Sequence, residues 1–167
     1  TRIRFVLVDP LAGLLPEAAQ LADAVDPRRV DLPLGILGAA PLADAATRLA
    51  MVQAAVEDDP RFLVDDREMR RPGPSYTVLT LEELRAERGS QPIALIMGMD
   101  AFAGLDRWHR AADLIRLAHL VVAIRPKSPV PGDGLAAALL RDHRCEDPAK
   151  LSESAAGLVY VSRGTQL

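Results

Sequence analysis

Residues 93–127, IALIMGMDAFAGLDRWHRAADLIRLAHLVVAIRPK, decide the fold class of this chain. The stretch predicts a strand over residues 92–97, a polar turn, a helix over 106–117 and a second strand over 119–124. Both strands are continuous apolar runs, which is typical of a parallel sheet that helices cover on both faces. The unit therefore predicts an α/β domain.

Strands and helices also alternate along the rest of the chain. Apolar, β-branched runs predict four further strands, and apolar periodicity predicts four further helices. The strands are expected at 2–9, 29–34, 61–64 and 158–162, and the helices at 15–25, 45–58, 75–88 and 135–141. This alternation favours a doubly wound parallel sheet. Because the chain has 167 residues and no clear linker, we expect residues 1–167 to form a single domain.

The composition excludes several classes of protein. A formal net charge of −3 argues against a nucleic-acid-binding surface. The single cysteine, Cys145, excludes an intramolecular disulfide and a multi-cysteine metal site, and it fits a reducing compartment. Since the sequence also shows no leader and no apolar run that would span a bilayer, we expect a cytoplasmic protein with no membrane partner. The sequence does not set the oligomeric state, and a homo-oligomer remains open.

The segment GPSYTVLTL, residues 73–81, leads into the helix predicted at 75–88. Tyr76 and Thr77 lie where a hydroxyl and free helical N–H groups can meet a carboxylate or a phosphate. An ordinary helix cap is the alternative explanation for the same residues.

Further candidate residues follow the two strands of the opening stretch. Gly98 lets a ligand approach the backbone, and Asp100 offers an acceptor to a base or ribose, because ligands of open α/β sheets bind beyond the carboxyl ends of strands. Arg125 follows the second strand and could meet a phosphate. The alternatives are a strand-ending glycine with a capping aspartate, and a solvated surface arginine.

Trp108, with His109 beside it, offers a flat surface on which a heteroaromatic ring could stack. The alternative is a tryptophan that packs a helix against the sheet. His119 and His143 lack the spacing of metal ligands, so we expect both to be structural or solvated and predict no protein metal site.

The charged residues around the 75–88 helix are expected to face solvent. Val78, Leu81 and Leu84 are predicted to point inward, and Glu82, Glu83, Arg85 and Glu87 outward. The preceding run DDREMRR, residues 65–71, is predicted to be a solvated loop with local ion pairs.

Three segments together resemble bacterial nicotinate-mononucleotide adenylyltransferase. They are RLAMVQAAVEDDPRFLVDDRE (48–68), RPGPSYTVLTLEELRAE (71–87) and IMGMDAFAGLDRWHRAADLIRLAHLVVAIRP (96–126). Members of that family join ATP to nicotinate mononucleotide with Mg²⁺, giving deamido-NAD and pyrophosphate in NAD biosynthesis. The resemblance implies a Rossmann-like fold of the nucleotidyltransferase type.

The resemblance also implies roles for individual residues. Tyr76, Thr77 and Trp108 would bind the substrate, with His109 in the place of an aromatic neighbour. The nucleotide-binding residues would be Asp9, Gly98, Asp100 and Arg125.

The chain departs from the family pattern at its first turn, where the family has GGTFDPxHxGH. The equivalent stretch here is FVLVDPLAGLLP, in which Phe5 and Val6 replace the glycine pair, and Ala12 and Leu15 stand at the two histidine positions. Because nucleotidyl transfer depends on positioning and charge stabilisation, the loss of both histidines predicts weak or absent transfer. The catalytic residues are therefore unknown.

Two functions compete on these grounds. The first is an adenylyltransferase, and the second is a catalytically inactive relative that binds a pyridine nucleotide or a protein partner. A generic Rossmann oxidoreductase fits poorly because no G-x-G-x-x-G follows the first strand.

Overall fold

The computed structural model describes residues 4–7, 30–33, 45–59, 62–124 and 129–163. Within these ranges, seven parallel strands form one sheet in the order β3-β2-β1-β4-β5-β7-β6. The strands are β1 (Arg4–Leu7), β2 (Val30–Pro33), β3 (Phe62–Asp65), β4 (Ile93–Gly98), β5 (His119–Ile124), β6 (Arg144–Cys145) and β7 (Val159–Arg163). This arrangement confirms the predicted α/β, Rossmann-like parallel sheet.

Helices connect the strands. They are α1 (Ala45–Val56), α2 (Arg67–Arg70), α3 (Thr77–Arg88), α4 (Met99–Ala103), α5 (Ala111–Leu117) and α6 (Gly134–His143), with 3₁₀ turns at Leu105–Arg107 and Pro148–Ser152. No helix in the described part of the chain is long and apolar enough to cross a bilayer. The helix predicted at 15–25 lies outside the described residues.

The two central strands place their side chains in two separate cores, because successive residues of a strand face opposite sides of the sheet. On β4, Leu95 and Met97 join the larger core, which contains Phe102 and the inward residues of α3, α5 and α6. Ala94 and Ile96 join the smaller core, against α1. The inward positions predicted for α3, namely Val78, Leu81 and Leu84, are all buried.

The segment after β4 differs from the prediction. The expected polar turn is a short helix, α4, and the helix expected over 106–117 begins only at Ala111. Arg110 adopts a left-handed conformation with φ 51°, which ends any helical run before it. Asp106 accepts a hydrogen bond from the Leu135 N–H at 3.1 Å, so its side chain caps α6 instead of its own segment.

The outward position predicted for Arg85 is wrong. Its guanidinium is half-buried at the amino-terminal edge of the sheet and donates to backbone carbonyl groups that precede three strands. Nη1 donates to Gln91 O at 2.7 Å, Nη2 donates to Ala155 O at 2.8 Å, and Nε donates to Leu117 O at 3.1 Å. Burial lowers the pKa of Arg85. The side chain therefore fastens α3 to the ends of three loops.

The solvated loop predicted for residues 65–71 is also wrong in part, because it contains α2 and docks on α3. Arg67 has a side-chain exposure of 15% and donates to Asp65 Oδ2 at 2.6 Å and to Glu87 Oε1 at 3.0 Å. Burial lowers the pKa of Arg67, but the hydrogen bonds to Glu87 and Asp65 outweigh it, so the net shift is upward. The predicted ion pairs exist, and they reach across to α3.

The prediction that His119 is structural is confirmed, since the residue is completely buried at the start of β5. Its Nδ1 accepts the Leu158 N–H at 3.1 Å, and Nε2 lies 2.9 Å from the Ser154 carbonyl oxygen. A ring that accepts at Nδ1 and donates from Nε2 is the neutral imidazole. Burial lowers the pKa of His119, and the nearby Arg85 charge lowers it further.

We expect the free energy of unfolding to fall as the pH drops below about 6.5, the ordinary histidine pKa. Below that pH the unfolded chain binds a proton at His119 that the buried ring of the folded protein does not bind. The free energy of unfolding keeps falling until the pH passes the lowered pKa of His119 in the folded protein. Urea denaturation between pH 7.5 and pH 5 measures this slope. The His119→Gln variant should be less stable at pH 7.5 but have a flatter slope. An equal slope in both proteins would contradict the assignment.

Gly134 occupies a position that no other residue should tolerate. Its φ is +71°, and a Cβ there would lie 2.5 Å from Asp106 Oδ2. Gly134→Ala should therefore lower the free energy of unfolding by about 2 kcal/mol through backbone strain and displacement of the Asp106 cap. The matched control is Gly132→Ala, whose added Cβ meets nothing within 4 Å among the described residues. Chemical denaturation should show little change in the control, and equal losses would contradict the explanation.

Candidate functional site

The order of the strands identifies one place where a ligand crevice is expected. β1 pairs with β2 on one side and with β4 on the other, so the chain leaves β1 towards one edge and later returns to the opposite side. Such a reversal opens a crevice beyond the carboxyl ends of the two strands. Leu7 at the end of β1 pairs with Ile96, and β4 continues two residues further to Gly98.

Gly98 and Asp100 lie at this edge, as predicted. Gly98 has an ordinary extended backbone, with φ −71° and ψ 158°, and a Cβ there would meet nothing within 4 Å among the described residues. Neither backbone strain nor packing against the described residues therefore requires glycine, and none of those residues fills the space beside its Cα. Asp100 is exposed in the first turn of α4.

Several residues of the predicted site cannot be placed. Asp9 and Arg125 lie outside the described residues, and so do Ala12 and Leu15 at the family's histidine positions. Their roles stay predictions.

The second part of the candidate site is the start of α3. Gly73, with φ +85°, turns the chain between Pro72 and Pro74. Tyr76 then has an extended backbone at the N-cap position and forms no side-chain cap hydrogen bond. The alternative explanation, an ordinary side-chain cap, therefore does not hold for Tyr76. The first turn of a helix leaves N–H groups without partners inside the helix, so this end can accept an anion.

The third part is the segment between the 3₁₀ turn and α5. Trp108 is half-buried and packs against the larger core, so it does serve as a packing residue. His109 is exposed, and its ring stacks on that of Tyr76 with the centroids 4.3 Å apart and the planes 29° apart. The structure thus brings together two predicted substrate-binding residues that lie on different connections of the sheet.

Two arginine–glutamate pairs join the connections that carry Tyr76 and His109 to two adjacent residues of α3, Glu82 and Glu83. Before α3, Arg71 Nη2 donates to Glu83 Oε1 at 2.7 Å. Before α5, Arg110 Nη2 donates to Glu82 Oε1 at 2.7 Å, and hydrogen bonds to Glu82 and Asp113 raise the pKa of Arg110. Sequence reasoning missed these pairings, although two adjacent glutamates on one helix and an arginine beside each connection were a visible signal.

Within the parts of the chain that the structure describes, no group of three histidine, cysteine or carboxylate side chains could hold a metal ion. A Mg²⁺ ion that enters with a nucleotide takes most of its ligands from phosphate groups and water, so it needs no such cluster.

The chain is similar to known proteins in sequence and in fold. The sequence model of the cytidylyltransferase-like family matches residues 30–155. Among curated relatives, a "Probable nicotinate-nucleotide adenylyltransferase" of Methylococcus capsulatus is 41% identical over 128 residues, which cover 76% of this chain and 61% of the relative. A protein of the same name from Sodalis glossinidius is 42% identical over 136 residues, covering 76% of this chain and 60% of the relative. The chain thus spans about three fifths of the length of these relatives.

A solved structure has the same fold at low sequence identity. Nicotinic acid mononucleotide adenylyltransferase of Plasmodium falciparum, complexed with NaAD, superposes with a TM-score of 0.67 and 10% identity. The match covers 100% of this chain and 77% of that one. At such low identity the likeness confirms the fold alone.

The stack of Tyr76 on His109 should appear as a coupling energy. In a double-mutant cycle of Tyr76→Ala and His109→Ala, we expect a coupling of about 0.5 kcal/mol, at the low end for aromatic pairs because both rings are exposed. Chemical denaturation of the four proteins measures it. Tyr160, which packs against the smaller core, provides the control pair with His109 and should show no coupling. Equal couplings would contradict the stack.

Proposed function

Because the chain belongs to the cytidylyltransferase-like family, we propose that it binds nicotinate mononucleotide at the start of α3 and ATP at the carboxyl edge of β4. The observation that carries the proposal is the Tyr76–His109 stack beside the helix start, with Trp108 preceding His109 in the sequence. The relatives named as nicotinate-nucleotide adenylyltransferases support this choice of substrate.

In the proposed complex, the pyridine ring lies against aromatic side chains and its carboxylate faces the start of α3. Trp108, His109 and Tyr76 supply flat surfaces for stacking. The backbone N–H and hydroxyl of Thr77, with the positive end of the helix dipole, suit a carboxylate. An uncharged carboxamide gains less from that end of a helix, so nicotinate should bind better than nicotinamide.

ATP would lie across the switch point of the sheet. The space at Gly98, which none of the described residues fills, would hold the adenosine, and Asp100 would accept a hydrogen bond from its base or ribose. Asp9 and Arg125 are the proposed contacts to the phosphates. Mg²⁺ would be held by ATP phosphates and would neutralise part of their charge.

The proposed reaction is adenylyl transfer. The phosphate oxygen of nicotinate mononucleotide attacks the α-phosphorus of ATP, deamido-NAD forms, and pyrophosphate leaves. Ala12 and Leu15 offer no charge stabilisation at the positions where the family has histidines. This observation favours a second candidate function, in which the protein binds the pyridine nucleotide but does not transfer the adenylyl group efficiently.

Separate titrations with the two nucleotides test the proposal. Trp108 is the only tryptophan, so a ligand ring beside it should change the intrinsic fluorescence of the protein directly. We expect nicotinate mononucleotide to do so in the absence of ATP, and the nicotinamide analogue to bind about tenfold more weakly, which corresponds to ~1.4 kcal/mol. Turnover should lie at least about 1,000-fold below that of an enzyme with both histidines.

The outcomes separate the candidates. Mononucleotide binding with family-like turnover would reject the inactive relative. Mononucleotide binding without ATP binding or turnover would support it. If neither nucleotide binds, the proposed function is wrong, and a protein-interaction role remains.

A further inference from the structure

We infer that Arg71 is the positioning residue that holds the turn carrying Tyr76 and Thr77 in its binding conformation. The inference rests on the proposed function for its consequence in ligand affinity, but the order of the turn can be measured without any ligand.

Arg71 spans the turn that it would hold. Its backbone N–H donates to Arg67 O at 3.1 Å, which fixes the near end of the turn to α2. Its Nη1 donates to Ser75 Oγ at 3.1 Å, beyond the two prolines. One side chain therefore joins the residues on both sides of Gly73, whose left-handed backbone makes the turn.

The same guanidinium also contacts α3. Nε and Nη2 both donate to Glu83 Oε1, at 3.2 and 2.7 Å, and both Nη atoms lie 3.4 Å from Thr80 Oγ1. Thr80 is 2% exposed and donates in turn to Glu68 Oε1 at 2.6 Å. The side chain of Arg71 is only 14% exposed, whereas that of Glu83 is 46% exposed, so the arginine and its contact with Thr80 are the part of the network that is shielded from water.

The position of the network suits it to orient the turn and gives it a small part in the stability of the fold. The buried apolar residues of α3, Val78, Leu81 and Leu84, lie in the larger core, whereas the partners of Arg71 are polar residues of the turn and of the first two turns of α3. A turn fixed in advance loses less conformational entropy when a ligand binds. Loss of the network should therefore reduce the affinity for the mononucleotide more than it reduces the stability of the folded protein.

Arg71→Lys tests this, because lysine keeps the charge but lacks the planar fork that reaches Ser75, Thr80 and Glu83 together. The matched control is Arg70→Lys: Arg70 is the adjacent residue, its side chain is 71% exposed, and it pairs with Asp66 at 2.7 Å. Amide hydrogen exchange at Leu79 and Thr80, the melting temperature, and the affinities for nicotinate mononucleotide and ATP are measured in both variants and the parent.

We expect Arg71→Lys to speed exchange at Leu79 and Thr80, whose N–H groups donate to Tyr76 O at 3.0 and 3.4 Å, about tenfold, with a small change in melting temperature. Mononucleotide affinity should fall about tenfold while ATP affinity stays the same. Arg70→Lys should change none of these.

Unchanged exchange in Arg71→Lys, or an equal rise in Arg70→Lys, would overturn the inference. So would a loss of mononucleotide affinity with unchanged exchange, since Arg71 would then contact the ligand itself. If the parent protein fails to bind the mononucleotide, the proposed function fails, while the exchange result still decides the role of Arg71.

Discussion

The burial of β4 and β5 on both faces is the constraint on which the rest of the structure depends. Five of the six residues in each strand are buried, so helices must cover both sides of the sheet. No polar side chain that needs water can lie along those strands unless it is fully paired, as His119 is. Polar groups that are free to meet a ligand are therefore confined to the connections beyond the strand ends. The position of Gly98 at the end of β4 and the aromatic pair at the start of α3 both follow from this confinement.

α3 links the two edges of the sheet. Its first residues carry the candidate pyridine site, its middle residues fill the larger core, and Arg85 near its end binds backbone carbonyl groups at the opposite edge. Glu82 and Glu83 bind one arginine from each of the two connections that carry the aromatic rings. The two connections that carry the aromatic rings are thus held by one helix, with the sheet as its support.

The sequence predicted the elements that local physics dictates. The strands at 92–97 and 119–124 were correct to within a residue, because long apolar runs admit few other structures. α3 was correct because Gly89, with φ +57°, ends it as expected.

The break at Arg110 was missed because a partner 28 residues away, Glu82, helps to hold it. Arg85 was placed outward because helical periodicity treats arginine as polar, and its carbonyl acceptors come from distant loops. The family resemblance named Tyr76 and His109, but only the tertiary structure brings their rings into contact, and the roles of Asp9 and Arg125 stay predictions.

The acceptors of Arg85 have a consequence for how the protein responds to electrolyte. Its guanidinium binds uncharged peptide oxygens, whereas the connections that carry the aromatic rings are tied to α3 by pairs of opposite formal charge. Dissolved ions screen attraction between opposite formal charges, most strongly where the pair is exposed, and they affect a bond to a neutral carbonyl much less. A high salt concentration should therefore loosen the edge of the molecule that carries Tyr76 and His109 before it disturbs the opposite edge, so that ionic strength acts on the candidate site ahead of folding.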